Sequence, residues 1–184
     1  MAVTTPEGEL GSPCPDFNLP GVDGKTYKRD DFAGTEAFLV MFICNHCPYV
    51  QAVEDRLIAL GRHYQSNPAV KIVAICSNDA TTYPDDSFPK MKERAEAKNY
   101  PFPYLHDESQ DVARAFGAVC TPDFFLYDSE MKLAYRGRLD DSWKDPSSVR
   151  SEELKDAIEA LLRGEKPSKD QKPSMGCSIK WRQA

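Results

Sequence analysis

Hydrophobic residues along the chain fall into two kinds of stretch, unbroken runs and runs with helical spacing. Residues 36–43 are almost continuously apolar, which fits a central strand buried on both faces. From Val50 the apolar side chains recur at Val53, Leu57, Leu60 and Tyr64, the spacing of a helix packed by one face, and Asn67-Pro68 ends it. Residues 70–76, VKIVAIC, are a second β-branched run, followed by the polar stretch SNDATTYPDD. Residues 88–98 are rich in helix formers, 103–106 read as a short strand, and 109–116 as a short helix closed by Gly117. Residues 123–127 and 132–138 look like two strands joined by the tight turn DSE. Leu154, Ile158, Leu161 and Leu162 share one face of a helix over 151–163 that Gly164 ends. Before all of these, residues 16–28 read as two short strands around an Asp23-Gly24 turn, a hairpin signal.

Strands alternate with helices to about residue 120, and then two adjacent strands precede a last helix. This order predicts an α/β sandwich on a mixed sheet, parallel in its first part and antiparallel at one side. There is no internal repeat. Residues 1–164 are expected to form a single domain, and residues 165–184 a tail. In that tail a Lys-, Pro- and Ser-rich linker over 165–174 is too polar to fold alone. Beyond it, Met175-Gly176-Cys177-Ser178-Ile179-Lys180-Trp181 is expected to dock with Ile179 and Trp181 inward.

Composition narrows the function classes. A formal charge of −6 disfavours nucleic acid or an anionic membrane surface as partner. The opening MAVTTPEGEL has neither basic residues nor an apolar core, and no apolar stretch approaches membrane length. A cytoplasmic setting is therefore expected, in which thiols are kept reduced and the six cysteines are catalytic or metal-binding rather than structural staples.

Cys44-Asn45-His46-Cys47-Pro48 follows the first buried strand and opens the first long helix. Open α/β sheets place their chemistry at that edge. A C-x-x-C pair alone fits a redox couple, half of a metal site, or two small packing residues. The strand-to-helix context favours the redox couple, and no second closely spaced pair completes a zinc site. A helix N-terminus and a nearby His46 would both lower the pKa of Cys44, while Pro48 suits the first helical turn. Cys120-Thr121-Pro122 precedes an apolar strand, and a proline entering a central strand in this way reads as a cis-proline.

Taken together, SPCPDFNLPGVDGKTY, the C-x-x-C after FLVMFI, GAVCTPDFFLYD and YRGRLDD resemble the thioredoxin superfamily. Within it the match is to the redoxin branch, which includes the alkyl hydroperoxide reductase and thiol-specific antioxidant proteins. The tail SMGCSIKW is similar to that of a bacterial thioredoxin-like group. The resemblance implies a three-layer thioredoxin-like sandwich with an N-terminal hairpin extension. The long separation of Cys44 from Pro122 leaves room for one inserted βα unit. It further implies Cys44 as exposed nucleophile, Cys47 as buried resolving thiol and Pro122 as the cis-proline beside them, with Asn45, His46, Pro48 and Thr121 shaping the site.

Three departures stand out. Ile43 replaces the usual tryptophan, and Asn45-His46 replaces glycine-proline, with the histidine where protein disulfide isomerase has one. Phe38 stands where thioredoxin has a buried acid, so the group that takes the resolving thiol's proton is open. The peroxidatic pattern needs Thr or Ser three residues before its cysteine and proline four further back. Cys44 and Val40 occupy those places relative to Cys47, and Met41 and Ala37 relative to Cys44.

The implied activity is thiol–disulfide exchange on protein or small-molecule disulfides, reset by an external thiol reductant, with no cofactor and no metal. The alternatives are a thiol peroxidase and a metal or iron–sulfur protein using Cys44, Cys47 and Cys120. Cys120, Cys177 and Cys76 are candidate auxiliary thiols, and Cys177 could reach the pair on a flexible linker. Cys14, His63 and His106 read as structural, and Asp85-Asp86 and Asp140-Asp141 as solvated loops.

Overall fold

The computed structural model describes residues 1–183. The strands are β1 (Ala2–Thr4), β2 (Asn18–Pro20), β3 (Thr26–Lys28), β4 (Ala37–Phe42), β5 (Val70–Cys76), β6 (Tyr104–His106), β7 (Cys120–Thr121), β8 (Asp123–Tyr127), β9 (Leu133–Arg136) and β10 (Met175–Ser178). The helices are α1 (Pro48–Tyr64), α2 (Phe88–Lys98), α3 (Asp111–Phe116) and α4 (Glu153–Leu162). The central sheet runs β6-β5-β4-β8-β9, with β4, β5 and β6 parallel and β8 and β9 antiparallel. This is the mixed sandwich that the element order predicts, in the thioredoxin-like arrangement.

The run in β4 is continuous because each of its faces meets a separate core. Leu39, Met41 and Ile43 pack with Val53 and Leu57 of α1 and Leu154 and Ile158 of α4. Phe38, Val40 and Phe42 pack the other way, with Phe17, Phe32 and Phe116. Phe32 stacks on Phe38 at 4.7 Å between ring centres. The hairpin of β2 and β3 turns at Gly24, whose φ of +84° is open to glycine, and joins the sheet edge through Val22 N–H donating to Tyr104 O at 3.0 Å.

The second small sheet, β1-β10-β7, was not legible in the sequence. Residues 165–174 are not a loose linker. Gln171 accepts from Arg136 N–H (3.0 Å) and donates to Ala134 O (3.0 Å), and Ser174 Oγ donates to Pro122 O at 2.8 Å. Backbone pairing compensates for the missing apolar surface. Ile179 is buried as expected, at 3 % exposure, but Trp181 is 38 % exposed and lies under the Arg114 guanidinium, 4.8 Å from its ring centre. Cation–π contact on an open surface replaces the inward docking expected for Trp181.

Asp123, at the start of β8, is wholly buried and takes a two-pronged contact from the Arg136 guanidinium, 2.9 Å from Oδ2 and 3.3 Å from Oδ1. Val119 N–H donates to the same carboxylate at 3.1 Å, which ties β9 to the segment leading into β7. Removing one partner of such a pair leaves an uncompensated buried charge. Arg136→Leu should therefore lower the unfolding free energy by about 3–5 kcal/mol in a urea titration. A loss below about 1 kcal/mol would show that the pair is not a structural tie.

Candidate functional site

At the end of β4 the chain still follows the sheet for one residue, with Ile43 N–H donating to Ile75 O at 3.0 Å, and then turns outward. Cys44, Asn45 and His46 make the turn, and Cys47 is the N-cap of α1, with Pro48 in the first helical position. Asn45 holds the turn in place. Its backbone N–H donates to Asp86 Oδ1 at 2.7 Å and its side-chain amide donates to Asp85 O at 2.8 Å. Its carbonyl groups accept from Tyr104 OH (2.9 Å) and Gln51 Nε2 (3.0 Å).

Asp86 is fully buried, so its reading as part of a solvated loop is wrong. Besides Asn45 N–H, it accepts from Asn78 Nδ2 at 2.9 Å, and His46 Nδ1 lies 2.5 Å from its Oδ2. The His46 ring stacks on Tyr83, 5.6 Å between centres and 3° between planes. A usable signal was present: the polar loop after β5 leaves the same sheet edge as Cys44, where a carboxylate can fold back over the turn. Asp140 is likewise buried, in an ion pair with Arg56 at 2.7 Å.

Thr121 lies against both cysteines. Its hydroxyl is 3.3 Å from Cys44 Sγ and its carbonyl 3.3 Å from Cys47 Sγ, and the bond from Thr121 to Pro122 is cis. The expected exposed nucleophile is not exposed, since Cys44 is 1 % accessible and Cys47 0 %. The Cys44 thiol is shifted upward. Its hydrogen bond to Cys47, then burial, then the negative field of Asp86 push it well above the ordinary thiol range. Cys47 is pulled the other way, first by the hydrogen bond from Cys44, with Cys177 and the Val50 N–H adding to it against the opposing effect of burial. Cys47, one turn on from Cys44, is the N-cap of α1, where the Val50 N–H adds to the lowering. His46 lies against Asp86 and stacks on Tyr83.

The remaining cysteines separate clearly. Cys76, at the end of β5, is wholly buried and its thiol is pushed up to about 12 by burial. Cys14 lies in the second core, remote from the pair, and burial likewise pushes it up to about 12. Cys120 aims its thiol at Pro122 O, 3.6 Å away, and is not part of a ligand set with Cys44 and Cys47. Strand alternation explains this: Cys120 sits opposite Ser178, and Thr121 opposite Cys177. Cys177 packs against the core that contains the pair and is partly exposed. Of His63 and His106, the first packs edge-on to Tyr64 and the second stacks on Phe88. Among the described residues, Cys44, His46 and Asp86 alone form a three-residue group with ligand atoms within 4.8 Å of one another. No helix among the described residues is long and apolar enough to cross a membrane.

Asp86 sets part of the field at Cys44, which gives a direct check. In a Cys47→Ser background, Asp86→Asn keeps an oxygen for Asn45 N–H and removes the charge. The pH dependence of Cys44 alkylation should then move to lower pH, because a neighbouring anion disfavours the thiolate. An unmoved profile would place Cys44 outside the reach of Asp86.

Residues 10–136 match the model of the AhpC/TSA family. Over its full length the chain is similar to the structure of an uncharacterized conserved protein from Geobacillus kaustophilus, at 46% identity and a TM-score of 0.95, covering 100% of this chain and 98% of that one. A hypothetical protein from Sinorhizobium meliloti is 38% identical with a TM-score of 0.90, covering 98% and 99% of the two chains. The thioredoxin domain of a thiol-disulfide oxidoreductase from Bacteroides vulgatus shares the fold, at 19% identity and a TM-score of 0.59 over 71% of this chain and 89% of that one. A search of the curated proteins returns no match.

Proposed function

The chain belongs to the AhpC/TSA family, and from that premise we propose that it is a thiol–disulfide oxidoreductase whose redox pair is Cys44 and Cys47. The observation that carries this reading is the contact of Thr121 with both sulfurs, its hydroxyl at 3.3 Å from one and its carbonyl at 3.3 Å from the other. The two thiols are thereby held together at a helix N-terminus, buried against Thr121. In the reduced state the Cys47 thiol donates to Thr121 O, and the two neighbouring thiols titrate as a pair. A thiolate of the pair attacks a substrate disulfide, one substrate sulfur leaves as thiol, and the second cysteine displaces the other. The product is the Cys44–Cys47 disulfide, which a thiol reductant returns to the dithiol. Asn45, His46, Pro48, Thr121 and Pro122 hold the geometry. Substrates are protein or small-molecule disulfides in a reducing compartment such as the cytoplasm.

A peroxidase reading lacks its threonine and proline around either cysteine. One observation favours a second reading: the grouping of Cys44, His46 and Asp86 offers a thiolate, an imidazole and a carboxylate to a zinc ion in the reduced protein. Metal content of anaerobically purified protein separates the two.

Reduction of insulin disulfides by a dithiol should be accelerated by the wild type and lost, by roughly a thousandfold, in both Cys44→Ser and Cys47→Ser. The variant that keeps the attacking sulfur should accumulate a mixed disulfide with substrate, visible by mass. Undiminished turnover in both variants would remove the pair from the chemistry.

A further inference from the structure

We infer that Cys177 is a third redox-active thiol, which takes over the disulfide from the buried pair and presents it at the surface to a dithiol reductant. This rests on the oxidoreductase reading above. It begins from an access problem: Cys44 is 1 % exposed and Cys47 0 %, whereas Cys177 is partly open to solvent. Thiol–disulfide exchange needs the attacking sulfur to reach the one attacked. A reductant from solution meets Cys177 first.

The placement of Cys177 is built into the fold. Strand β10 adds to β7 with Cys177 opposite Thr121, the residue whose carbonyl accepts from Cys47. The Cys177 and Cys47 thiols lie close enough to shift one another's titration. Gly176 shows how closely the strand is seated: a Cβ there would lie 2.0 Å from Thr121 O and 3.0 Å from Pro122 N. On the other side, β1 pairs with β10, placing Ala2 opposite Cys177. Cys177 is thus delivered to the pair by two ladders, not by the flexible reach expected of a linker. In the reduced protein, burial and the neighbouring Cys47 keep the Cys177 thiol protonated, while Lys180 works against them. Once Cys47 is in a disulfide its contribution is gone, leaving burial opposed by Lys180.

The exchange balances without an oxidant. Deprotonated Cys177 Sγ attacks Cys47 Sγ, so that the Cys47–Cys177 bond forms and the Cys44–Cys47 bond breaks. Cys44 leaves with the electron pair and takes up the proton that Cys177 lost. The dithiol then attacks Cys177 Sγ, expelling Cys47, and its second thiol displaces Cys177. The reductant ends as a disulfide, and its two protons go to Cys47 and Cys177.

Two measurements on the full chain test this. First, Cys44→Ser is oxidised mildly, alkylated and mapped by mass without reduction; a Cys47–Cys177 linkage should dominate. Second, oxidised wild type and Cys177→Ser are mixed with dithiothreitol, and the return of the dithiol is followed by quenched alkylation. Cys177→Ser should be re-reduced roughly tenfold more slowly, and a single turnover of the wild type with a disulfide substrate checks the pair itself. Gly176→Ala, which keeps the thiol but lifts its strand, should slow re-reduction similarly. Equal re-reduction rates in wild type and Cys177→Ser, or no Cys47–Cys177 linkage in a folded Cys44→Ser protein, overturn the proposal. Failure of the wild type in the single turnover overturns the oxidoreductase reading instead.

Discussion

Everything around the cysteines depends on one buried carboxylate. Asp86 has no solvent to hydrate it, so its charge must be met by the protein. Two segments supply the partners: the cysteine turn, through Asn45 N–H with His46 Nδ1 close by, and the loop after β5, through Asn78. A carboxylate shared by two segments also fixes their spacing. With the turn pinned at Asn45, Cys44 and Cys47 have nowhere to go except against Thr121.

The fold was legible because its strands obey one rule throughout. A strand covered on both sides must be apolar at nearly every position, and 36–43 and 70–76 are, Glu36 and Lys71 apart; a helix covered on one side must repeat, and 50–64 does. The cysteine pair was legible for a related reason, since strand-to-helix turns at a sheet edge can be read from local sequence. What escaped were contacts between distant segments. Asp86 looks like any loop acid, and only its closure onto Asn45 gives it meaning. The tail looks too polar to order, because pairing through backbone groups leaves no trace in side-chain patterning. Spacing alone does not say which cysteine stands at the helix cap, and in the structure it is Cys47.

Burial of the pair has two sides. Thr121, the tail and the turn exclude water, which strengthens every hydrogen bond to sulfur and separates the two thiols' affinities for a proton. The same exclusion denies bulky partners a direct approach. Proteins that share the sandwich at 19% identity share only its scaffold; the two full-length relatives, at 46% and 38%, extend the likeness over the tail as well.

The ladder of β10 has a consequence for motion. It is a four-residue strand held by short neighbours on both sides, β1 of three residues and β7 of two. Such a unit opens at far lower free energy than the five-stranded sheet beneath it. Its amides would exchange with solvent deuterium well before those of β4 and β5, and each opening would free the edge of Thr121, which lies against both sulfurs. The chain thus carries a small, separately melting element over its most reactive atoms, and the frequency of that melting sets an upper limit on how often a large disulfide partner can meet them.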